Sequence, residues 1–261
     1  MLLAGRVVIV SGVGPGLGRS VALAAAASGA EIVLAARKAE TLARVEAEIT
    51  ESGGTAYAVP TDVTDADACR RLVDASVERF GRVDGLVNNA FRGPRGDSFV
   101  DADLDRWRRI FDVNVWGTLA LTREVARHLR EAATGTGSIV LVSSMAARTG
   151  LAGQGGYAAS KGALLAATRS LATELSPAGI RVNAVVPGWM WGPNVAAYCE
   201  MEAQRRGSTP EAVRDEIAAR IPLRRIPTGD ECAGAVVFML SDLASAVTGQ
   251  ALDVNGGEFY G

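Results

Sequence analysis

The stretch from Val7 to Gly29 restricts the fold more than any other part of this chain. Val7-Val8-Ile9-Val10-Ser11 is a β-branched run of the kind buried on both faces of a sheet. It passes at once into Gly12-Val13-Gly14-Pro15-Gly16-Leu17-Gly18, and an alanine-rich helical run over 19–28 follows, ending at Gly29. A buried strand that turns through glycines into a helix starts a βαβ unit. The spacing is Gly-x3-Gly-x-Gly rather than Gly-x-Gly-x-x-Gly, but the physical need for small residues is the same. The backbone has to turn tightly and approach a pyrophosphate, and the helix amino terminus then faces the anion. Taken alone, the loop is also compatible with a tight βα turn that binds nothing.

Downstream the alternation continues. Strands are expected at Glu31–Ala36, 56–60, 85–87, 138–144, 180–186 and Ala251–Val254. Helices are expected at 40–52, 67–80, 104–131, from about Tyr157 to 175, twice within 189–222, and at 231–240, with a loop over 91–99. Strictly alternating strands and helices imply a parallel sheet covered on both faces. No repeat or linker interrupts the pattern, so residues 1–261 are expected to form one domain. The stretch 189–222 holds two helices rich in Ala, Met and aromatics, the second opening near Ser208-Thr209-Pro210-Glu211, a capping pattern with Pro in the first turn. Inserted after a strand end, such a pair is expected to act as a movable substrate cover.

Composition removes several function classes. A net charge of −2 and a pI near 5.6 leave no basic footprint for nucleic acid. No apolar run approaches the length of a membrane span. The chain runs from Met1 through Arg6 straight into the first strand, which argues against a signal peptide. Cys69, Cys199 and Cys232 are odd in number and far apart, fitting neither a disulfide framework nor a metal site, so a cytoplasmic setting is expected. The single histidine, His128, falls inside a helical stretch and is read as a helix-surface residue. A Ser/His/Asp triad or a histidine metal site would have to rest on it alone, and neither is expected, nor any bound metal.

A different constellation carries chemistry. Tyr157 and Lys161 are four apart and share a helix face. An ammonium close to a phenol favours the phenolate and lowers its pKa toward neutrality, which suits proton transfer. Of 27 basic residues only Lys38 and Lys161 are lysines, so a compact ammonium at 161 stands out against an arginine background. Ser144, thirteen residues before Tyr157, closes an apolar strand, where open α/β sheets bind ligands. By spacing alone, Tyr157 and Lys161 also describe an ordinary surface pair. Asn114 and Gly117 are poor helix formers inside a long helix, which points to a side-chain hydrogen bond or a local distortion at Asn114.

In this order and spacing the motifs resemble the short-chain dehydrogenase/reductase family, over essentially the whole chain and in its short single-domain branch. They are Ser11-Gly12-x3-Gly16-x-Gly18, Asp62-Val63, Asn88-Asn89-Ala90, Asn114, Ser144, Tyr157-x3-Lys161, Arg181-Val182-Asn183 with Pro187-Gly188, and Asn255-Gly256-Gly257. The resemblance implies a doubly wound, Rossmann-like parallel sheet of seven strands, a nicotinamide cofactor and a tetrad of Asn114, Ser144, Tyr157 and Lys161. Tyr157 would be the general acid/base, and Ser144 would hold the substrate oxygen. Lys161 would bind the nicotinamide ribose and depress the Tyr157 pKa, and Asn114 would hold a water linking Lys161 to solvent. Cofactor contacts are implied for Gly12, Pro15, Gly16, Leu17, Gly18, Arg37, Asp62, Val63, Asn89, Ala90, Tyr157, Lys161, Pro187, Gly188 and Met190. Relatives are commonly tetramers, which implies a homotetramer here.

Three positions depart from the family pattern: Ser11 for Thr, Phe91 for the Gly after Asn-Asn-Ala, and Gly192 for a Thr that bonds the carboxamide. Phe91, Trp189 and Trp191 fall beside the expected nicotinamide, and a bulky apolar or cyclic carbonyl substrate is expected from them. At the tip of the second strand, where an acid would bind the ribose 2′-hydroxyl of NAD, Ala36 is followed by Arg37 and Lys38. A guanidinium there can bond a phosphate in bidentate fashion, so NADP(H) is expected over NAD(H). The expected activity is hydride transfer between that cofactor and a secondary alcohol or ketone. An NAD-dependent enzyme and a dinucleotide-sensing protein without turnover are the alternatives, and an intact tetrad speaks against the second.

Overall fold

The structure is a computed structural model that describes residues 1–94, 96, 98–132 and 136–260. Seven parallel strands lie in the order β3-β2-β1-β4-β5-β6-β7, the doubly wound sheet expected. They are β1 (Val7–Ser11), β2 (Glu31–Ala36), β3 (Thr55–Pro60), β4 (Gly85–Asn88), β5 (Gly137–Val142), β6 (Ile180–Pro187) and β7 (Ala251–Val254). Strand order reverses at β1, which pairs with β2 on one side and β4 on the other. Ligands of such sheets bind beyond the carboxyl ends of the strands at that reversal.

Side-chain alternation along β1 shows how the sequence builds both layers. Val8 and Val10 join one core with Leu17, Val21 and Ala25 of α1 (Leu17–Ala27), Leu42 and Val45 of α2 (Ala39–Glu51), and Val236 and Leu240 of the last helix. Val7 and Ile9 join the other, with Leu72 of α3 (Ala66–Phe80), Leu121 and Val125 of the stretch 118–131, and Leu165 and Ala172 of the helix that carries Tyr157. Asp65 caps α3, accepting from the backbone N–H of Asp67 and Ala68, and Gly81 ends it in the left-handed region.

The long helix expected over 104–131 is continuous but not uniform. It runs as α4 (Leu104–Phe111), a π-helical segment Asp112–Gly117, and α5 (Thr118–Glu131), so the distortion expected at Asn114 is a π segment. His128 corrects its sequence reading. It is half-buried rather than on the surface, and its buried Nε2 has no hydrogen-bond partner among the described residues.

After α6 (Gly155–Leu175) and β6 come α7 (Pro193–Arg206) and α8 (Pro210–Arg220), the latter capped by the Thr209 hydroxyl. These two helices share a small core of their own: Cys199, Ala203, Val213, Ile217, Ile221 and Ile226. The last helix, α9 (Gly229–Leu240), starts two residues before the expected position because Thr228 and Glu231 form a reciprocal capping box. No helix among the described residues is long and apolar enough to cross a membrane, and none of their His, Cys, Asp and Glu side chains cluster as a metal site.

Candidate active site

The glycine loop is built by close backbone contact between the ends of β1 and β4. Gly12 has φ of +73°, and a Cβ there would lie 2.4 Å from the N and Cα of Ala90. At Gly18 a Cβ would meet the Gly12 carbonyl oxygen at 2.4 Å. The Asn89 side-chain amide donates to that same carbonyl at 2.8 Å, and the Asn89 N–H donates to the Ser11 hydroxyl at 3.3 Å. Ser11, Gly12, Gly18, Asn89 and Ala90 are therefore one assembly, and the Thr-to-Ser change keeps its hydroxyl in use.

Gly14 and Gly16, by contrast, face open space, with no atom within 4 Å of either missing Cβ. Gly16 gives α1 no side-chain cap, and no acid stands in its first turn. Its leading N–H groups are thus left for an external anion. Pro15 is exposed beside them, whereas Leu17 turns into the core. These residues fit a pyrophosphate.

The remaining predicted cofactor residues ring the same end of the sheet. Arg37 is exposed at the tip of β2, and its side chain makes no hydrogen bond or ion pair among the described residues. Asp62 uses Oδ1 to accept from the N–H and hydroxyl of Thr64, at 3.0 and 2.8 Å, and Val63 packs into the core. Pro187 ends β6, the Gly188 N–H donates to the Val254 carbonyl at 3.1 Å, and Met190 lies half-buried against the core on the α1/α9 face.

The strand expected over 138–144 leaves the ladder at Val142. Ser143 still donates to the Val185 carbonyl at 2.9 Å, and Ser144 caps a 3₁₀ turn, Met145–Ala147, with its hydroxyl accepting from the Ala146 N–H at 3.2 Å. Tyr157 and Lys161 are on the first two turns of α6, and the Ser144 hydroxyl stands beside the Tyr157 phenol. Lys161 is buried and donates to the Val142 carbonyl at 2.7 Å, which leaves two of its three N–H groups for other partners. Burial drives its pKa down to about 7. Burial also pushes the Tyr157 hydroxyl up, while the Ser144 hydroxyl pulls it down. The Lys161 Nζ is turned to the Val142 carbonyl and lies 5.8 Å from the Tyr157 ring centre.

Asn114 is fully buried in the π segment. Its Oδ1 accepts from the Arg92 N–H at 2.7 Å, and its Nδ2 donates to the Arg92 carbonyl at 3.1 Å and the Ser160 hydroxyl at 2.9 Å. Ser160 in turn donates to the Tyr157 carbonyl at 2.7 Å. Asn114 is thus tied to the Phe91–Arg92 loop and to the turn carrying Tyr157, and these contacts do not reach Lys161. Sequence reading missed Ser160 and Arg92 because a helical serine and a loop backbone carry no signal of their own.

Of the three candidate substrate aromatics, Phe91 stands against the reactive pair, its ring 6.3 Å edge-to-face from Tyr157 and 5.8 Å from the Lys161 Nζ. Trp189 instead stacks on Tyr198 of α7 at 5.2 Å, within the small core of the two helices. The Trp191 N–H donates to the Pro227 carbonyl at 2.7 Å, and its half-exposed ring lies 5.9 Å beneath Arg214 of α8. Phe91 follows directly on Ala90, so one short turn joins the glycine cradle to the Tyr157–Lys161 pair.

A family model described as enoyl-(acyl carrier protein) reductase matches residues 12–258. The chain is 38% identical to an L-rhamnose 1-dehydrogenase (NAD(P)(+)) of Azotobacter vinelandii, over 99% of this chain and 98% of that one. It is 36% identical to the cis-4-hydroxycyclohexanecarboxylate dehydrogenase of Sinomonas cyclohexanicum, over 97% and 96% of the two chains. Among solved structures it is similar to an NAD+-bound xylitol dehydrogenase, with a TM-score of 0.91 and 33% identity, covering 98% of this chain and 100% of that one.

Proposed function

The chain belongs to the short-chain dehydrogenase/reductase family and is an NAD(P)-dependent alcohol dehydrogenase or carbonyl reductase, and within that class we propose an NADP(H)-preferring enzyme that uses Tyr157 as its acid/base on cyclic or bulky apolar secondary alcohols and ketones. One observation carries the reading: Ser144, Tyr157 and Lys161 converge at the end of β5, joined through Phe91 and Ala90 to an open glycine cradle.

The cofactor, when bound, supplies or takes up the hydride. Tyr157 gives its hydroxyl proton to the carbonyl oxygen in reduction and takes it from the alcohol in oxidation. Ser144 turns its single O–H to the same oxygen when the substrate is bound. Lys161, anchored on the Val142 carbonyl, offers its remaining N–H groups to the nicotinamide ribose hydroxyls. Asn114 fixes the loop and the Tyr157 turn against each other. Arg37 takes the 2′-phosphate of NADP, and Phe91 supplies an apolar wall next to the reacting carbon. The relative acting on a hydroxycyclohexane ring supports a cyclic substrate. Cytoplasmic location and a homotetrameric assembly belong to the same proposal, the second checked by light scattering of the purified protein.

Two measurements test it. Tyr157→Phe keeps the ring and deletes the transferable proton, so kcat should fall by about 10² to 10⁴ with cofactor affinity unchanged. Near-normal turnover would remove Tyr157 from the mechanism. Dissociation constants for NADPH and NADH on one preparation should favour NADPH by about tenfold or more, as one charge-assisted contact allows, and Arg37→Ala should erase the difference. Tighter NADH binding, or an NADPH constant unmoved in Arg37→Ala, decides for an NAD enzyme.

A further inference from the structure

Trp107 lies outside the tetrad and the cradle, yet its ring packs directly on the backbone of the catalytic helix. Its indole covers Gly155 and Gly156, the first two residues of α6 and the two that precede Tyr157. A Cβ on Gly155 would lie 2.6 Å from Cη2 of the ring, and one on Gly156 would lie 2.6 Å from Cγ. The ring therefore rests on bare backbone, at a separation that no side chain at these positions would permit. Asn114 lies seven residues further along the same continuous helix, two turns on and so on a similar face. It holds the other end of the turn through Ser160, which bonds the Tyr157 carbonyl. The space left along this seam, lined by Pro94, Trp107, Ile110, Gly153, Gly156 and Tyr157 among others, is about 10 Å³, at the lower limit for one water.

We propose that Trp107 is a positioning residue for Tyr157: with Asn114 it clamps the turn Gly155–Ser160 at both ends, and the Gly155-Gly156 pair exists to admit its ring. Near-attack geometry is sensitive to displacements of an ångström or less, so loosening one end of the clamp lowers turnover without touching a reacting group. Trp107 makes none of the cradle's contacts, which are between Gly12, Gly18, Asn89 and Ala90, so the cradle keeps its affinity. The inference rests on Tyr157 being the acid/base.

A steric exchange tests it. Gly156→Ala places a methyl against the indole and should lower kcat about tenfold or more, with the NADPH dissociation constant changed less than twofold. Trp107→Leu opens the clamp and should lower kcat by a similar factor, while Trp107→Phe, which keeps an aromatic ring on the glycines, restores most of it. In the double variant Trp107→Leu/Gly156→Ala the methyl has room, so the two losses should not multiply and kcat should exceed that of Gly156→Ala alone. Multiplying losses, a normal kcat in Gly156→Ala, or parallel losses of kcat and NADPH affinity would each overturn the clamp. If Trp107→Leu fails to fold, the same comparison is made with Trp107→Met, which also takes the ring off the glycines. Tyr157→Phe run beside them separates the two readings: turnover retained there defeats the acid/base assignment, whereas its loss with a normal Gly156→Ala defeats the clamp alone.

Discussion

Lys161 shows how one residue sets a functional demand against stability. Its ammonium is buried, accepted by one carbonyl, and faced by the Tyr157 and Phe91 rings at 5.8 Å, without a carboxylate partner among the described residues. Burial lowers its folded pKa to about 7, against an ordinary lysine value of about 10.4 in the unfolded chain. Between those two values the unfolded chain binds more protons than the folded one, so this group adds stability as pH rises through the window. Below about pH 7 it contributes none, because the charged form must be buried. Comparing thermal midpoints of the protein and Lys161→Met from pH 6 to 10 isolates this term. The difference should move in favour of the wild-type lysine as pH rises above 7, and the variant should be inactive throughout. A difference flat with pH would mean that Lys161 titrates as an exposed lysine does.

At the scale of elements, legibility followed locality. The strand–loop–helix at 7–29 was readable because its β-branched run, glycine spacing and alanine-rich helix are all written within 23 consecutive residues. The anomaly at Asn114 was readable as an anomaly, since Asn and Gly disfavour helix interiors, but the partners that hold its side chain, Arg92 and Ser160, lie 22 and 46 residues away. Four-residue spacing likewise places Lys161 on the right face but does not say that its Nζ turns to Val142. The loop glycines give a prediction that separates their two uses. Gly18→Ala drives a methyl into the Gly12 carbonyl and the Asn89 amide, and overpacking of this kind should lower stability by about 1–3 kcal/mol along with cofactor affinity. Gly16→Ala meets no protein atom within 4 Å, so denaturant midpoints should change much less while cofactor affinity falls. Equal loss of stability in both variants would mean the open space at Gly16 is not the anion's.

Across the whole molecule, stability is unevenly laid out. The two faces of the sheet carry extended cores in which β1, β2, β4, β5 and β6 bury residues on both sides. Helices α7 and α8 depend on a separate, much smaller cluster, with Trp189 and Tyr198 at its edge. They are joined to each other by that cluster and by one ion pair, from Arg206 of α7 to Glu216 of α8 at 2.8 Å, while within α7 Glu202 accepts from Arg205 and Arg206, which hold its carboxyl down at about 2. What binds them to the sheet is less, including the Trp191–Pro227 backbone bond and the packing of Gly256 and Gly257 on Ile221 and Pro222. A unit tied more firmly within itself than to its support opens as a unit, from the low-stability end of the molecule. Amide exchange followed by mass spectrometry should therefore show α7 and α8 exchanging together and well before β5 or α6. Saturating cofactor with a slow substrate should raise their protection more than that of α2 or α3, as expected of helices that close over a substrate. Protection equal to that of β5 without ligand, or no gain with it, would make the pair a fixed part of the domain.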